Sequence, residues 1–314
     1  MLEQLIKNQK TYAELRLEWL AASGHSEMIE RERADFEAAA ELTKDVIARL
    51  VELEQVVSIQ PMTSPTGEAS WFRYKVKEQK ADYLGLTLEV FKQKVSARTL
   101  RLSTRLSDPD AAEQIAEELI NQVLSLAIRL ASKSSRVIKK DTPEQGWPES
   151  LSERIALNIN RFANQIASTT RRGVGNFVIA DAETLKLLNF DPLPQDLAAA
   201  VDREQRLLKI VGSLNRKYIK VYSSHLMPPG KFLIGYKGAQ TKNDGSPYEE
   251  ARLLDSGIVY CPYVPVLVSG SLTDPVTYKP VTALMTRGAV SVMKDEEGGS
   301  FGSSANYYRL LEVA

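Results

Sequence analysis

Soft metal ligands are nearly absent from this chain: among 314 residues there is one cysteine, Cys261, and there are two histidines, His25 and His225. A lone cysteine forms no internal disulfide and fits a reducing compartment, and two histidines far apart in sequence do not build a zinc site. No apolar run reaches the roughly 20 residues needed to cross a bilayer, and the first residues are too charged for a secretory signal. Net charge is missing as well, with 40 basic residues balanced by 40 acidic ones. Without an overall field, any contact with nucleic acid must be local or nonspecific. There are no internal repeats and no low-complexity tract.

The usual signatures of chemistry are also lacking. No Gly-x-Ser-x-Gly elbow and no His-Glu-x-x-His pair occurs. The segments "DSG" and "NDG" lack the spaced carboxylates of a calcium loop. Cys261 lies in the apolar stretch "VYCPYVP", without the base or electropositive setting that activates a thiol, and His225 sits in the turn-like "SSHLMPPG". These gaps predict a protein that is not an enzyme and holds no cofactor or metal.

One stretch, "TTRRGVGNFVIAD" at 169–181, invites a nucleotide-binding reading. That fingerprint needs strand, glycine loop and helix in that order, with a third glycine where Val178 stands. Here a helix precedes and a strand follows. Gly173 and Gly175 are therefore expected to form a structural corner, ending a helix in a left-handed turn before the chain enters a sheet.

What is present is a globular composition, 43% hydrophobic and 25% charged. Residues 10–54 are helical in character with a break at Ser23-Gly24. Phe36, Ala39, Ala40, Thr43, Val46, Ile47, Leu50 and Leu53 then draw an apolar stripe at spacings of three and four. That stripe fits packing within the chain or contact with another chain. "VVSIQPMTSPTG" (56–67) reads as a short strand and a loop, and in "WFRYKVK" Phe72, Tyr74 and Val76 alternate with Arg73, Lys75 and Lys77. A second alternation, Leu100, Leu102, Thr104 and Leu106 with Arg101, Ser103 and Arg105 between, is expected to be the returning arm of a long hairpin with its tip near 80–98. A two-stranded ribbon is marginal in water, so it must lie on something.

Residues 107–135 predict a long helix, capped by Ser107 or Asp108 and started by Pro109, with Ile115, Leu119, Val123, Leu126 and Leu130 on one side. At 1.5 Å per residue it would be about 40 Å long. A linker with Pro143, Gly146 and Pro148 leads to a second helix from Ser150 to Thr170. "NFVIA", "KYIKVYSS", "KFLIGYKG", "GIVYCPYVPVLVSG" and the tail "NYYRLLEVA" supply strands, and Asn243-Asp244-Gly245 marks an exposed loop.

Six loops together carry a further pattern: "IQPMTSPTG" (59–67), "GVGNFVIA" (173–180), "KYIKVY" (217–222), "GYKGA" (235–239), "VYCPYVP" (259–265) and "DPVTYKPVTALMTRG" (274–288). In that order they closely resemble the major capsid proteins of T-even-like contractile-tailed bacteriophages, from about residue 55 to the C-terminus. The resemblance implies an α+β chain with the Hong Kong 97 type capsid fold. Its parts would be a helical N-terminal arm (1–54) and an extended hairpin loop (70–106). A peripheral domain (55–69, 107–148 and 280–314) would carry the long spine helix 107–135, and an axial domain (149–279) would hold a central mixed sheet. The interval from Trp71 to Ser107 leaves no room for the inserted domain usual in such phages, and Thr286-Arg287-Gly288 is one residue shorter than their Thr-Arg-Tyr-Gly. In the N-terminal segment, where the family is cut after Glu in a Leu/Ile-x-Glu context, only "LVE" at 50–52 comes near the pattern, and Leu53 follows it.

The resemblance further implies self-assembly into hexamers and pentamers of an icosahedral head, enclosing double-stranded DNA without sequence-specific contact. Scaffold, portal and decoration or vertex proteins would be partners. The chain would reside in the virion, reached from the host cytoplasm, with no membrane involved. Phe72, Arg73, Tyr74, Lys75, Lys77, Arg101 and Arg105 are expected at inter-subunit contacts, and the ribbon and the N-terminal helix are each expected to bury apolar faces on a neighbour. A vertex protein, an encapsulin-like cellular compartment and a nucleotide-binding enzyme remain alternatives.

Overall fold

The charged N-terminal stretch forms two helices, α1 (Leu2–Ala22) and α2 (Ser26–Leu50), parted at Gly24, whose φ of 76° is a left-handed turn that favours glycine. The structure is a computed structural model describing residues 2–80, 83–106, 108–140, 147–198, 207–215, 218–238, 253–268, 272–273, 280–281, 283–293 and 303–314. Ser107, Pro143, Gly146 and the Asn243-Asp244-Gly245 loop lie outside these residues. Phe36, Ala39, Thr43, Val46, Ile47 and Leu50 are all buried, and α2 packs on the body of its own chain. So does α1, although Leu15 and Trp19 on it stay exposed. Asn8 Nδ2 donates to the carbonyls of Met62 and Tyr263, both at 2.8 Å, while Leu5 and Leu20 are buried. Arg16 forks onto Glu32 of α2 with two contacts of 3.0 Å. The helices fold back because these groups find apolar and hydrogen-bonding partners at home.

Two main sheets form the centre. One has the strand order Ser58–Ile59, Ile258–Val268, Ala283–Val292 and Arg98–Arg105, parallel in its first pair and antiparallel afterwards. The other runs Ser135–Ile138, Tyr308–Val313, Lys231–Gly235, Phe177–Ala180, Ile219–Ser223, Lys209–Leu214 and Asp191–Pro192, and is mixed. Its strand Phe177–Ala180 is buried at every residue, as its unbroken apolar run requires. The helix α3 (Ala111–Ala131) touches both sheets, and α4 (Leu151–Thr170) lies on Lys231–Gly235 and Tyr308–Val313.

Several expectations change here. Helix α3 is 21 residues long, so it measures about 31 Å and not 40. Asp110 takes the N-cap position, while Asp108 turns its carboxylate to the backbone N–H of Arg105 at 2.8 Å. The buried face of α3 continues through Ile120, Leu124, Ala127 and Ala131, so Leu126 and Leu130 sit only at its margin. Both sheets also cut across the expected domain boundaries. Tyr308–Val313 and Ser135–Ile138, placed with the peripheral residues, join the seven-stranded sheet, whereas Ile258–Val268 joins the four-stranded one. Strand pairing is a long-range contact and does not follow contiguous blocks of sequence.

The hairpin is the largest correction. Strand Thr66–Lys80 pairs with Tyr83–Ser96, with Trp71 opposite Phe91 and Phe72 opposite Val90. Strand Arg98–Arg105 is not the returning arm; it pairs with Ala283–Val292. Both segments alternate apolar and polar residues, and the nearer one closes the shorter loop at lower entropic cost.

Candidate assembly surface

At its root the hairpin is clamped to the body. The carboxamide of Gln60 behaves like a peptide group: Nε2 donates to Ser70 O at 2.8 Å, Oε1 accepts from Ser70 N at 2.9 Å, and Nε2 also reaches Leu253 O at 2.8 Å. Ala69, Trp71 and Val95 are buried, and the Trp71 and Phe91 rings lie 6.2 Å apart. Farther along the arm the environment changes abruptly. Val90 is 47% exposed and Leu88 is 42% exposed, two neighbours of one face that the body does not cover.

Phe72 marks the boundary, half-buried, with its ring 5.2 Å from the guanidinium carbon of Arg172. At Arg73, Tyr74, Lys75 and Lys77 only the backbone is described; Arg73 stands opposite Glu89 in register, and a register shift falls between Val76 and Glu78. Arg101 and Arg105 are exposed on the terminal strand of the four-stranded sheet, away from the paired arms to which the sequence assigned them.

Arg172 belongs to the corner that the glycine motif forms. Helix α4 ends at Thr170, and the left-handed residue is Arg171, with φ of 56°, not a glycine. The glycines serve close approach instead. A Cβ on Gly173 would come within 2.5 Å of the Tyr236 ring, and one on Gly175 within 3.0 Å of the Ala163 backbone. This packing leaves the corner beside a buried ion pair, in which Arg172 Nε and its terminal nitrogen each lie 3.0 Å from an oxygen of Asp255. Tyr236 Oη donates to Asp255 Oδ2 at 3.1 Å and Tyr307 Oη approaches Oδ1 at 3.4 Å. Burial opposes the charge of Arg172, but Asp255 outweighs it and raises the guanidinium above its ordinary value. Burial, reinforced by the same carboxylate, holds both tyrosine hydroxyls protonated well above their usual range.

The remaining candidates fall elsewhere. Cys261 is fully buried in strand Ile258–Val268, and burial pushes its thiol up to about 12. His225 is exposed, 3.2 Å from Glu117. Among the described residues no group of three or more His, Cys, Asp or Glu is placed to hold a metal ion, and no helix is long and apolar enough to cross a membrane. Sequence reasoning missed Leu88 and Val90, although the alternation Leu84, Leu86, Leu88, Val90 is legible; it had no signal for Asp255, 83 positions from Arg172.

The hairpin thus leaves Leu88 and Val90 uncovered, beside a mixed sheet and a bridging helix. The family model described as Major capsid protein Gp23 matches residues 101–313, more than half of the chain. This chain belongs to the major capsid protein Gp23 family. It is 30% identical over 152 residues to the major capsid protein of Enterobacteria phage T6, an alignment covering 46% of this chain and 27% of the relative. The major capsid protein of Enterobacteria phage T4 is likewise 30% identical over 152 residues, with 46% and 26% covered. The matched region thus spans about a quarter of the length of these curated relatives. Among solved structures, one from Mycobacterium phage Bobi is similar over 84% of this chain and 90% of its own, at 9% identity and a TM-score of 0.47. The family match ends one residue before the C-terminus and takes in α3, α4 and the whole seven-stranded sheet.

Proposed function

We propose that this chain is a shell subunit of a phage head, assembling with copies of itself into hexamers and pentamers of an icosahedral capsid around double-stranded DNA. In this reading its architecture is the Hong Kong 97 type, with the hairpin as the extended loop and α3 as the spine. The observation that carries the proposal is the hairpin: its root is clamped by Gln60 and Trp71, yet Leu88 and Val90 beyond it are exposed. An apolar strand face left bare on a two-stranded ribbon is stabilised by burial elsewhere, and a second copy of the chain offers that burial. Copies related head to tail close into rings when the rotation allows it, and several modest contacts per subunit add up through avidity.

The zero net charge agrees with DNA retained by enclosure without sequence readout. Scaffold, portal and decoration or vertex proteins are proposed partners, and the host cytoplasm is the proposed place of assembly before the virion is complete. The test is to express the chain alone and with a scaffold and to follow sizing chromatography and negative-stain microscopy. Rings or closed shells are expected; a stable monomer under every condition sinks the reading.

A further inference from the structure

We infer that the flat face of the Arg172 guanidinium is the seat that fixes the direction in which the hairpin leaves the body, and that Phe72 is the side chain that rests on it. Arg172 is held in two dimensions before Phe72 arrives. Its edge is spent on Asp255 through two 3.0 Å contacts, Asp255 is itself held by Tyr236 and Tyr307, and the Arg172 side chain is 3% exposed. The backbone is pinned as well, by the left-handed Arg171 on one side and by Gly173 against Tyr236 on the other. A guanidinium also has a planar face, the surface on which an aromatic ring stacks, and the centroid of the Phe72 ring lies 5.2 Å from the Arg172 guanidinium carbon.

The place of this contact along the arm gives it leverage. On the body side of Phe72, Ala69, Trp71 and Val95 are buried and Gln60 holds Ser70. Level with Phe72, Val90 is uncovered, and on the far side so is Leu88. Among the residues of its strand whose side chains are described, Phe72 is the outermost, and its ring meets Arg172 of the body. From Phe72 to the end of the strand at Lys80 the arm extends about 26 Å at roughly 3.3 Å per residue, so a tilt of about 10° at the seat carries the far end through about 5 Å. A ring on a flat cation slides and tilts without losing contact, as no hydrogen bond fixes its angle. The seat thus restrains the hairpin and still permits a small range of exit angles. Given the shell reading proposed above, on which this role depends, that range is what one chain needs to serve in rings of different order.

The experiment measures hairpin direction in a single, full-length chain. Cysteines replace the exposed Thr87 and Asn164 and carry spin labels, while the buried Cys261 stays unlabelled; the distance distribution is recorded on dilute, unassembled protein. With Phe72 in place a narrow distribution is expected. Phe72→Leu, which keeps apolar bulk but has no ring face, should broaden it about twofold, since the stacking restraint on the arm is gone. Phe72→Tyr should restore the narrow distribution, a rescue that simple loss of burial does not predict. A Phe72→Leu distribution as narrow as that of the unaltered chain, or a Phe72→Tyr one as broad as that of Phe72→Leu, overturns the inference. A chain that never assembles would refute the shell reading alone, because this measurement needs no assembly.

Discussion

The guanidinium of Arg172 and the carboxylate of Asp255 meet edge to edge, with both contacts at 3.0 Å and the Asp255 side chain wholly shielded from solvent. Removing one member of such a pair leaves the other charged, buried and uncompensated. Asp255→Asn should therefore lower the unfolding free energy by about 3–5 kcal/mol. Denaturant titration of the unassembled chain checks this, and a loss below about 1 kcal/mol, the size of a surface pair, would refute the burial argument.

Alkaline pH should weaken the fold through Cys261. Burial raises the folded-state pKa from the ordinary value of 9.0 to about 12, so the folded chain keeps a proton that the unfolded chain releases. The stabilisation is complete below about pH 9 and is lost as the pH climbs towards 12. Cys261→Ala should flatten the fall in thermal midpoint over that window. The native thiol should also resist maleimide until denaturant is added.

The corner glycines should resist any side chain. Gly175→Ala places a methyl group 3.0 Å from the Ala163 Cα and 3.2 Å from its Cβ, and backbone does not yield easily. The expected loss is about 1–3 kcal/mol by thermal or chemical unfolding. If Gly173→Ala and Gly175→Ala are both silent in stability, yet ATP or NAD binds the unaltered chain tightly and not these variants, the corner has a binding role instead.

Assembly and stability should separate along the hairpin. Trp71→Ala at the root empties a buried site and should cost about 3–5 kcal/mol. Leu88→Asp and Val90→Asp change exposed positions and should alter monomer stability by no more than about 0.5 kcal/mol. If the shell reading holds, the two aspartates abolish particles in negative stain while the monomer stays folded. Normal particles from the double variant would count against the hairpin as an assembly element.

Helix α1 should loosen when its amide clamp is removed. Asn8→Ala leaves the Met62 and Tyr263 carbonyls without their 2.8 Å donor, at a cost of about 1–3 kcal/mol. Faster hydrogen exchange confined to α1 and the start of α2 is the expected readout.

How much of this was legible beforehand depended on how local the cause was. The stripe from Phe36 to Leu50, the helix ending at Thr170 and the buried run Phe177–Ala180 each carry their own periodicity, so they could be read directly. The hairpin could not be read in full. Two candidate return strands, 83–96 and 98–105, alternate equally well, and Lys80-Ala81-Asp82-Tyr83 contains no Asn-Gly or glycine to announce the turn. The glycine motif was assigned its place but not its mechanism: a left-handed φ falls on Arg171, and the need for glycine arises from Tyr236 and Ala163, which are distant in sequence or on the preceding helix.

Composition and periodicity by themselves determined that this chain has long helices and alternating strands, because those properties depend on residues within a few turns of one another. Tertiary structure alone decided which strand closes the hairpin, why α1 lies on its own body, and how Arg172, Asp255, Tyr236 and Tyr307 meet beneath Phe72. Those outcomes come from contacts between residues dozens of positions apart, whose energies are set by burial and by hydrogen-bond geometry that a linear order of residues does not contain.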